Sequence, residues 1–587
     1  MLRLLGRFLR RLMVLLFAFV GAVVVCLGAA AGLLYLWVST VGDNRLPSRM
    51  VLSMRPDAAL GSEDVGSLSR FLPLRQLSLE DIVEALERAE QDDRVAGLFL
   101  DVSGASAGMG EAQELRDAVG RFQNAGKFVL AYADTYEEPS APYYIASAAH
   151  DIWLQPSGDL GLTGVALQSF FLKGALDRLG VHAEFGGRYE YKGAVETFTA
   201  EAMSAPVRQN LQTLVDGWFK QLSRDIAGAR GLGEPAVRGL IDRAPLGADE
   251  ALGAKLVDHL GYRGEATAEA RKRAGPGAEL MTLERYLKRA GRPHERGPTI
   301  AVIHGRGTIV RAPGSGETAV FGRQMRADAV ARAIAAAAAD SDVRAIVLRI
   351  DSPGGSYVGS DTVWHEVEAA RQKKPVIASL GDVAASGGYF VAMGATRILA
   401  EPGTLTGSIG VFGGKFVASD FMRDLGVAVD SVEAGAHVGM WSATRAFTEA
   451  ERARLEAQLD RIYKDFTGKV AAARGLSAEQ IDASARGRVW TGEDAKALGL
   501  IDGYGGYRAA LSLAREAAGL AADAPITVEE FPRPRRLWDI VDALLDADLQ
   551  ESLRLTLAAD RALLGWLRHL LTKAGGAGLA MPPLALP

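Results

Sequence analysis

The sequence predicts an α/β protein: two tandem domains of βαβ units that follow an N-terminal transmembrane helix. Three observations carry this prediction. The chain repeats itself at a nearly constant spacing. Each copy alternates short β-rich runs with helix-compatible stretches. A long apolar run without charge opens the chain. Alternating strands and helices imply parallel βαβ units covered by helices.

The repeat is explicit in the residues. Val95 to Val102 reads VAGLFLDV, and 248 positions later Val343 to Ile350 reads VRAIVLRI. Phe128 to Ala133 (FVLAYA) matches Val376 to Gly381 (VIASLG) at the same offset of 248. Tyr143-Tyr144-Ile145-Ala146 matches Tyr389-Phe390-Val391-Ala392 at 246, and Ala251 to Asp258 (ALGAKLVD) matches Ala495 to Asp502 (AKALGLID) at 244. Four matches in order mark a duplicated unit. In the second copy the run 346–350 is followed by a helix over 360–371, a strand over 376–380 and a helix-compatible stretch from Ser386. Residues 1–47 read as a basic tip and membrane anchor, 48–265 as the first copy and 299–530 as the second. Residues 266–298, rich in Lys, Arg, Gly and Pro, read as a connector with one helix. Residues 531–587 read as C-terminal helices over 537–573, with Leu544, Leu545, Leu549, Leu553 and Leu557 as apolar positions, and a flexible tail.

Leu12 to Val38 contains no charged residue. At about 1.5 Å per residue it makes roughly 40 Å of helix, enough for a hydrocarbon core of about 30 Å. Arg3, Arg7, Arg10 and Arg11 precede it, and the first acid after it is Asp43. The positive-inside rule then predicts a cytoplasmic N-terminus and a body on the other side. A cleaved signal peptide is the competing reading, because Ala29-Ala30-Ala31 offers small residues. The apolar run continues past them, which favours an uncleaved anchor. A net charge of −5 gives no electrostatic footprint for nucleic acid. The single cysteine, Cys26, lies inside the apolar run, so intrachain disulfides and thiolate metal sites are excluded.

The densest chemical signal is Ser379 to Ala392, SLGDVAASGGYFVA. Ser386 falls at a strand–turn–helix junction, where a hydroxyl is exposed and helix-start N–H groups point outward. Gly387 and Gly388 remove side chains where a substrate backbone must approach. The plainer reading is an N-cap serine. A second signal is Asp351-Ser352-Pro353-Gly354-Gly355-Ser356, directly after a strand. Paired glycines there free backbone N–H groups to converge on an oxyanion; an ordinary Pro-Gly turn is the alternative. A nucleophilic serine needs a base. None of the eight histidines sits in a motif, and His304 and His365 have no identifiable acid partner. A Ser-His-Asp arrangement stays open, since its members need not be adjacent. The other solution is a lysine made neutral by burial. Lys192, in Tyr189-Glu190-Tyr191-Lys192-Gly193-Ala194, is flanked by tyrosines and small residues. By itself a lysine reads as a surface residue.

Comparing the copies sharpens these readings. Ser386 maps to Ser140, followed by Ala-Pro and not Gly-Gly; the SPGG segment maps to Ser103-Gly104-Ala105-Ser106; Lys192 maps near Val438, in a stretch without lysine. One copy holds the lysine and a degraded turn, and the other holds the turn and no lysine. The simplest account is one composite site.

Taken together, the segments SPGG, ASGGYF, TGSIGVFGG and YKGAVETF resemble the long, duplicated form of the signal peptide peptidase A (protease IV) family. The resemblance covers both copies and the anchor. It implies a Clp protease/crotonase-like fold in each copy, Ser386 as nucleophile, Lys192 as general base and Ser408 as the group that orients the lysine. Ser408 corresponds to Leu162 in the first copy. Gly355 and Gly387 are the oxyanion candidates. The resemblance further implies a bowl-shaped homotetramer at a bacterial inner membrane, with its body outside the cytoplasm. It implies apolar signal-peptide remnants as substrates and needs no metal or cofactor. The chain departs from the family at Thr197, where a proline is usual, which bears on local loop shape. Two other function classes compete: a crotonase-like acyl-CoA enzyme, which would leave Lys192 without a role, and an inactive membrane scaffold, which would leave the intact turn of the second copy without one.

Overall fold

The computed structural model of the 587-residue chain describes residues 46–55, 77–136, 140–312 and 323–533, with five single positions between 21 and 32. Apart from those five, the expected anchor over 12–38 lies outside the described residues, as do the helices expected over 537–573. Among the described residues no helix is long and apolar enough to cross a membrane.

Each copy builds a parallel sheet, and six strands occur in the same order in both. In the first sheet the order is His259–Leu260, Asp151–Leu154, Phe128–Ala133, Val95–Asp101, Met50–Met54, Glu279–Thr282. In the second it is Gly503–Tyr504, Arg397–Ala400, Val376–Ala385, Val343–Ser352, Thr299–Arg306, Thr527–Phe531. The central strands are Val/Ile/Leu runs because a parallel sheet is covered on both faces; Ile346, Val347 and Leu348 are fully buried. The second sheet adds two strands. Leu405–Gly407 pairs with the far half of Val376–Ala385, and Val489–Thr491 runs antiparallel beside it.

The segment 266–298 corrects the sequence reading. It is not a bare connector: Glu279–Thr282 pairs with Met50–Met54 as the edge strand of the first sheet. Two helices flank it, Arg263–Ala274 and Leu283–Ala290. The strand has four residues and one buried side chain, Met281, too short a pattern for alternation to register.

Residues up to Glu529 form one compact unit; residues 530–587 form another, of which 530–533 are described. One apolar cluster runs from Met50 and Leu52 of the first copy to Ile300, Val302, Tyr507 and Leu511 of the second. Burial of this seam welds the copies together, since apolar area removed from water is the main favourable term in folding. Polar groups set its register. Buried Arg349 donates to the Glu114 carboxylate at 2.5 Å and to Ser379 Oγ at 2.9 Å. The other Glu114 oxygen accepts the Tyr507 N–H at 2.6 Å, and the Tyr507 hydroxyl donates to Glu84 at 2.8 Å.

An acidic group lies at the same seam. The Gly110 N–H donates to Asp382 at 2.9 Å, and the Val383 N–H donates to Asp351 at 3.1 Å. Burial, and then the charges of Asp382 and Asp351, push the Glu111 carboxyl up to about 8. The folded protein therefore prefers Glu111 protonated, whereas the unfolded chain loses that proton near 4.5. The contribution of this carboxyl to stability should fall as pH rises from about 4.5 to about 8 and stay level above. Glu111→Gln is expected to raise stability by an amount near zero at pH 4.5, growing to on the order of a few kcal/mol at pH 8. Denaturant midpoints across that range check it; a difference independent of pH would refute the assignment.

Candidate active site

Strand Val376–Ala385 runs directly into Ser386, the N-cap of helix Gly387–Ala392. Ser386 has φ 54° and ψ −116°, a conformation that costs on the order of 1–3 kcal/mol for a residue with a Cβ. The turn is held from outside: the Ser386 N–H donates to the Gly407 carbonyl at 2.8 Å. The side chain of this strained residue is thereby directed into a cavity of about 460 Å³. The equivalent Ser140 has φ −57°. Its hydroxyl donates to the Gly164 carbonyl at 2.9 Å and accepts the Gly164 N–H at 3.2 Å, so it is tied to a loop of its own copy and caps no helix N–H.

Lys192 reaches the same cavity from the first copy. Strand His182–Arg188 pairs antiparallel with Val411–Val417, with Arg188 opposite Val411. That register sets Lys192, four residues past one strand end, beside Ser408, three residues before the other. Lys192 is 7% exposed, and its Nζ lies 3.0 Å from Ser386 Oγ, 2.8 Å from Ser408 Oγ and 2.8 Å from the Ser408 carbonyl oxygen. Burial pushes the amine down to about 7. A neutral amine has two N–H donors and one lone pair. With the Ser408 carbonyl and hydroxyl taking the donors, the lone pair is left for the Ser386 proton.

Gly355 and Gly387 line the same cavity. Gly354, with φ 101°, packs so closely on the nucleophile turn that a Cβ there would meet Gly387 N at 2.7 Å and Ser386 Cβ at 2.8 Å. The SPGG turn is therefore moulded to the serine turn, with glycine needed at their contact. All five residues singled out from sequence—Ser386, Lys192, Ser408, Gly355 and Gly387—thus line one cavity. His304 and His365 do not line it. Leu162, the counterpart of Ser408, is a fully buried apolar residue. Thr197 sits in the helical turn Glu196–Thr199 and its carbonyl accepts the Leu172 N–H at 2.7 Å, so the turn forms without proline.

Sequence reasoning missed the cavity's apolar wall. Leu455, Leu459, Ile462 and Phe466 line it from helix Glu449–Arg474, facing Phe390. Their spacing of four, three and four is a helical stripe and was readable as such, but nothing in the stripe pointed to a cavity and not to core.

A strained serine hydroxyl, a buried amine against it and glycine turns around both define, on this fold, an enzyme of the serine-protease class. The chain belongs to peptidase family S49, whose model matches residues 121–276 and 368–521, once in each copy. It is 34% identical to Protease 4 of Salmonella typhi over 478 residues, covering 79% of this chain and 75% of that protein. It is 30% identical to the chloroplastic serine protease SPPA of Arabidopsis thaliana over 467 residues, covering 78% and 68%. A solved membrane-bound stomatin-specific protease aligns with TM-score 0.27 and 15% identity over 41% of this chain and 100% of its own.

Proposed function

We propose that this protein is a membrane-anchored endopeptidase that cleaves apolar peptides, signal-peptide remnants among them, by a Ser386/Lys192 dyad. The observation that carries the reading is the 3.0 Å separation between Ser386 Oγ and a Lys192 amine held near 7 by burial, within reach of direct proton transfer. Neutral Lys192 accepts the Ser386 proton as Oγ attacks the peptide carbonyl carbon. The N–H groups of Gly355 and Gly387 hold the oxyanion. The C–N bond then breaks, Lys192 returns its proton to the leaving amine, and water hydrolyses the acyl-enzyme with Lys192 again as base. Ser408 keeps the amine aimed. The apolar wall supports an apolar substrate, because buried hydrocarbon pockets select for it. Anchoring through residues 12–38 in a bacterial inner membrane, with the body outside the cytoplasm, and assembly as a homotetramer complete the proposal.

A serine-directed fluorophosphonate tests it. The folded protein should be labelled on Ser386 and should cleave a synthetic apolar signal-peptide fragment internally, and Ser386→Ala should do neither. Labelling of another residue would overturn Ser386 as the nucleophile, and no labelling of the folded protein would favour the inactive-scaffold reading. Scattering mass in detergent tests the tetramer.

A further inference from the structure

We propose that the tripeptide Arg486-Gly487-Arg488 is a clasp that fixes the distance between the base and its partners, which makes Gly487 and Arg488 positioning residues for the reaction; this rests on the Ser386/Lys192 reading above. The tripeptide follows helix Ala478–Ser484 and carries none of the motifs that drew attention to the rest of the site.

Its backbone grips two segments at once. On the lysine side, the Arg486 carbonyl accepts the N–H groups of Tyr189 at 3.4 Å and Tyr191 at 3.3 Å. On the serine side, the Gly487 N–H donates to the Ile409 carbonyl at 2.8 Å, and the Arg488 carbonyl accepts the Ser408 N–H at 2.6 Å. Ser408 in turn adjoins Gly407, whose carbonyl accepts the Ser386 N–H at 2.8 Å. One three-residue stretch is therefore hydrogen-bonded to the chain on either side of the amine, and through one further residue to the nucleophile.

Gly487 is where the grip is tightest. It has φ 85°, and a Cβ on it would meet Lys192 N at 2.6 Å, Cα at 2.8 Å and Cβ at 2.8 Å. No side chain fits there unless the base moves. The facing Gly410 makes the matching approach, with a Cβ position 3.0 Å from Gly487 Cα. Side chains brace the clasp. The Arg488 guanidinium stacks 4.0 Å from the Tyr191 ring centroid and 5.7 Å from that of Trp490, and donates to the Tyr191 hydroxyl. Arg486 pairs with Glu190 at 2.8 Å and Asp482 at 3.0 Å. The charged groups beside Lys192 on its own segment are Arg188, Glu190 and Glu196, whose carboxylate accepts the Ser204 N–H at 2.9 Å, and those on the clasp are Arg486 and Arg488. Glu190 is neutralised by Arg486, and Arg188 by Glu456 and Asp460. Burial is what depresses the amine. A base pushed off the clasp is misaligned and also wetted.

That double consequence gives a readout that general destabilisation would not move. In Gly487→Ala, kcat should fall about 100-fold, the cost of misplacing a reacting group by roughly 1 Å, with KM for an apolar chromogenic peptide changed less than threefold. The midpoint of the kcat/KM–pH profile should rise from about 7 towards the ordinary lysine value of 10.5. Loss of folded protein would lower the amplitude and leave the midpoint in place. The full chain in detergent is measured beside Arg488→Met, which removes the stack and keeps the backbone; it should show the same shift in smaller measure. Should Gly487→Ala not fold, Arg488→Met decides alone. An unmoved midpoint in a folded variant overturns the clasp. A wild-type midpoint that persists in Lys192→Met overturns the dyad reading instead, so the two failures are distinguishable.

Discussion

Lys192→Met is expected to reduce peptide hydrolysis by at least about 10³-fold, within the range that general bases contribute, while the protein remains folded. The variant keeps most of the apolar volume of the side chain and removes only the amine, so the loss reports proton transfer and not packing. The wild-type rate should rise about tenfold per pH unit below 7 and level off above, because the active species carries an uncharged amine and burial sets that amine near 7. A surface lysine would give a rise continuing to about 10. The same burial has a stability cost of opposite sense. The unfolded chain holds the Lys192 proton up to 10.5 and the folded one releases it near 7, so the amine's contribution to wild-type stability should increase with pH across that window. Removing the amine removes this dependence. The stability of Lys192→Met relative to wild type should therefore be greatest at and below pH 7 and decline by on the order of 5 kcal/mol by pH 10.5. Chemical denaturation at several pH values checks it; a flat difference would mean that the amine titrates in water.

Much of this was legible in the residues. The repeat matches at 95–102 and 343–350 fall on equivalent central strands, because a parallel sheet buries both faces and writes continuous apolar runs into the sequence. Ser386 and the SPGG turn were readable because glycine at a strand end is a backbone requirement visible without contacts. Lys192 stood out through the comparison of the copies and the family resemblance, since its tyrosine and small-residue neighbours by themselves do not separate a buried lysine from an exposed one. What stayed hidden is what depends on pairing across long distances. The two-stranded ribbon that joins residues 182–188 to 411–417 leaves no mark on either strand. Gly487 is one glycine among 67, and its role exists only because Lys192 lies against it. Glu279–Thr282 needed Met50–Met54 beside it before it was a strand at all.

The seam between the copies carries the other large effect. Arg349→Met is expected to destabilise the protein by about 3–5 kcal/mol, the usual result of leaving one member of a buried ion pair without its partner. Arg349 is 3% exposed and Glu114 is 3% exposed, joined at 2.5 Å, with Glu80 a further 3.5 Å contact to the same guanidinium. Glu80 also pairs with Arg306 at 2.6 Å, so it is Glu114 that loses its cation. The loss should be largely recovered in the double variant Arg349→Met/Glu114→Gln. A glutamine can still accept the Tyr507 N–H through its carbonyl oxygen and no longer buries a charge, and replacing both members of such a pair is often near neutral. The cycle should therefore be strongly non-additive. Because the hydrogen bonds of Arg349 to the nucleophile strand are made at Ser379 and, at 3.4 Å, the Leu380 carbonyl, and not at Ser386, the folded fraction of either variant should keep the wild-type pH midpoint of hydrolysis. Denaturant unfolding of the four proteins, with pH–rate profiles beside it, separates the two roles. Additive losses, or a midpoint that moves with Arg349, would mean that the ion pair acts on the active site itself and not on the junction that holds the copies together.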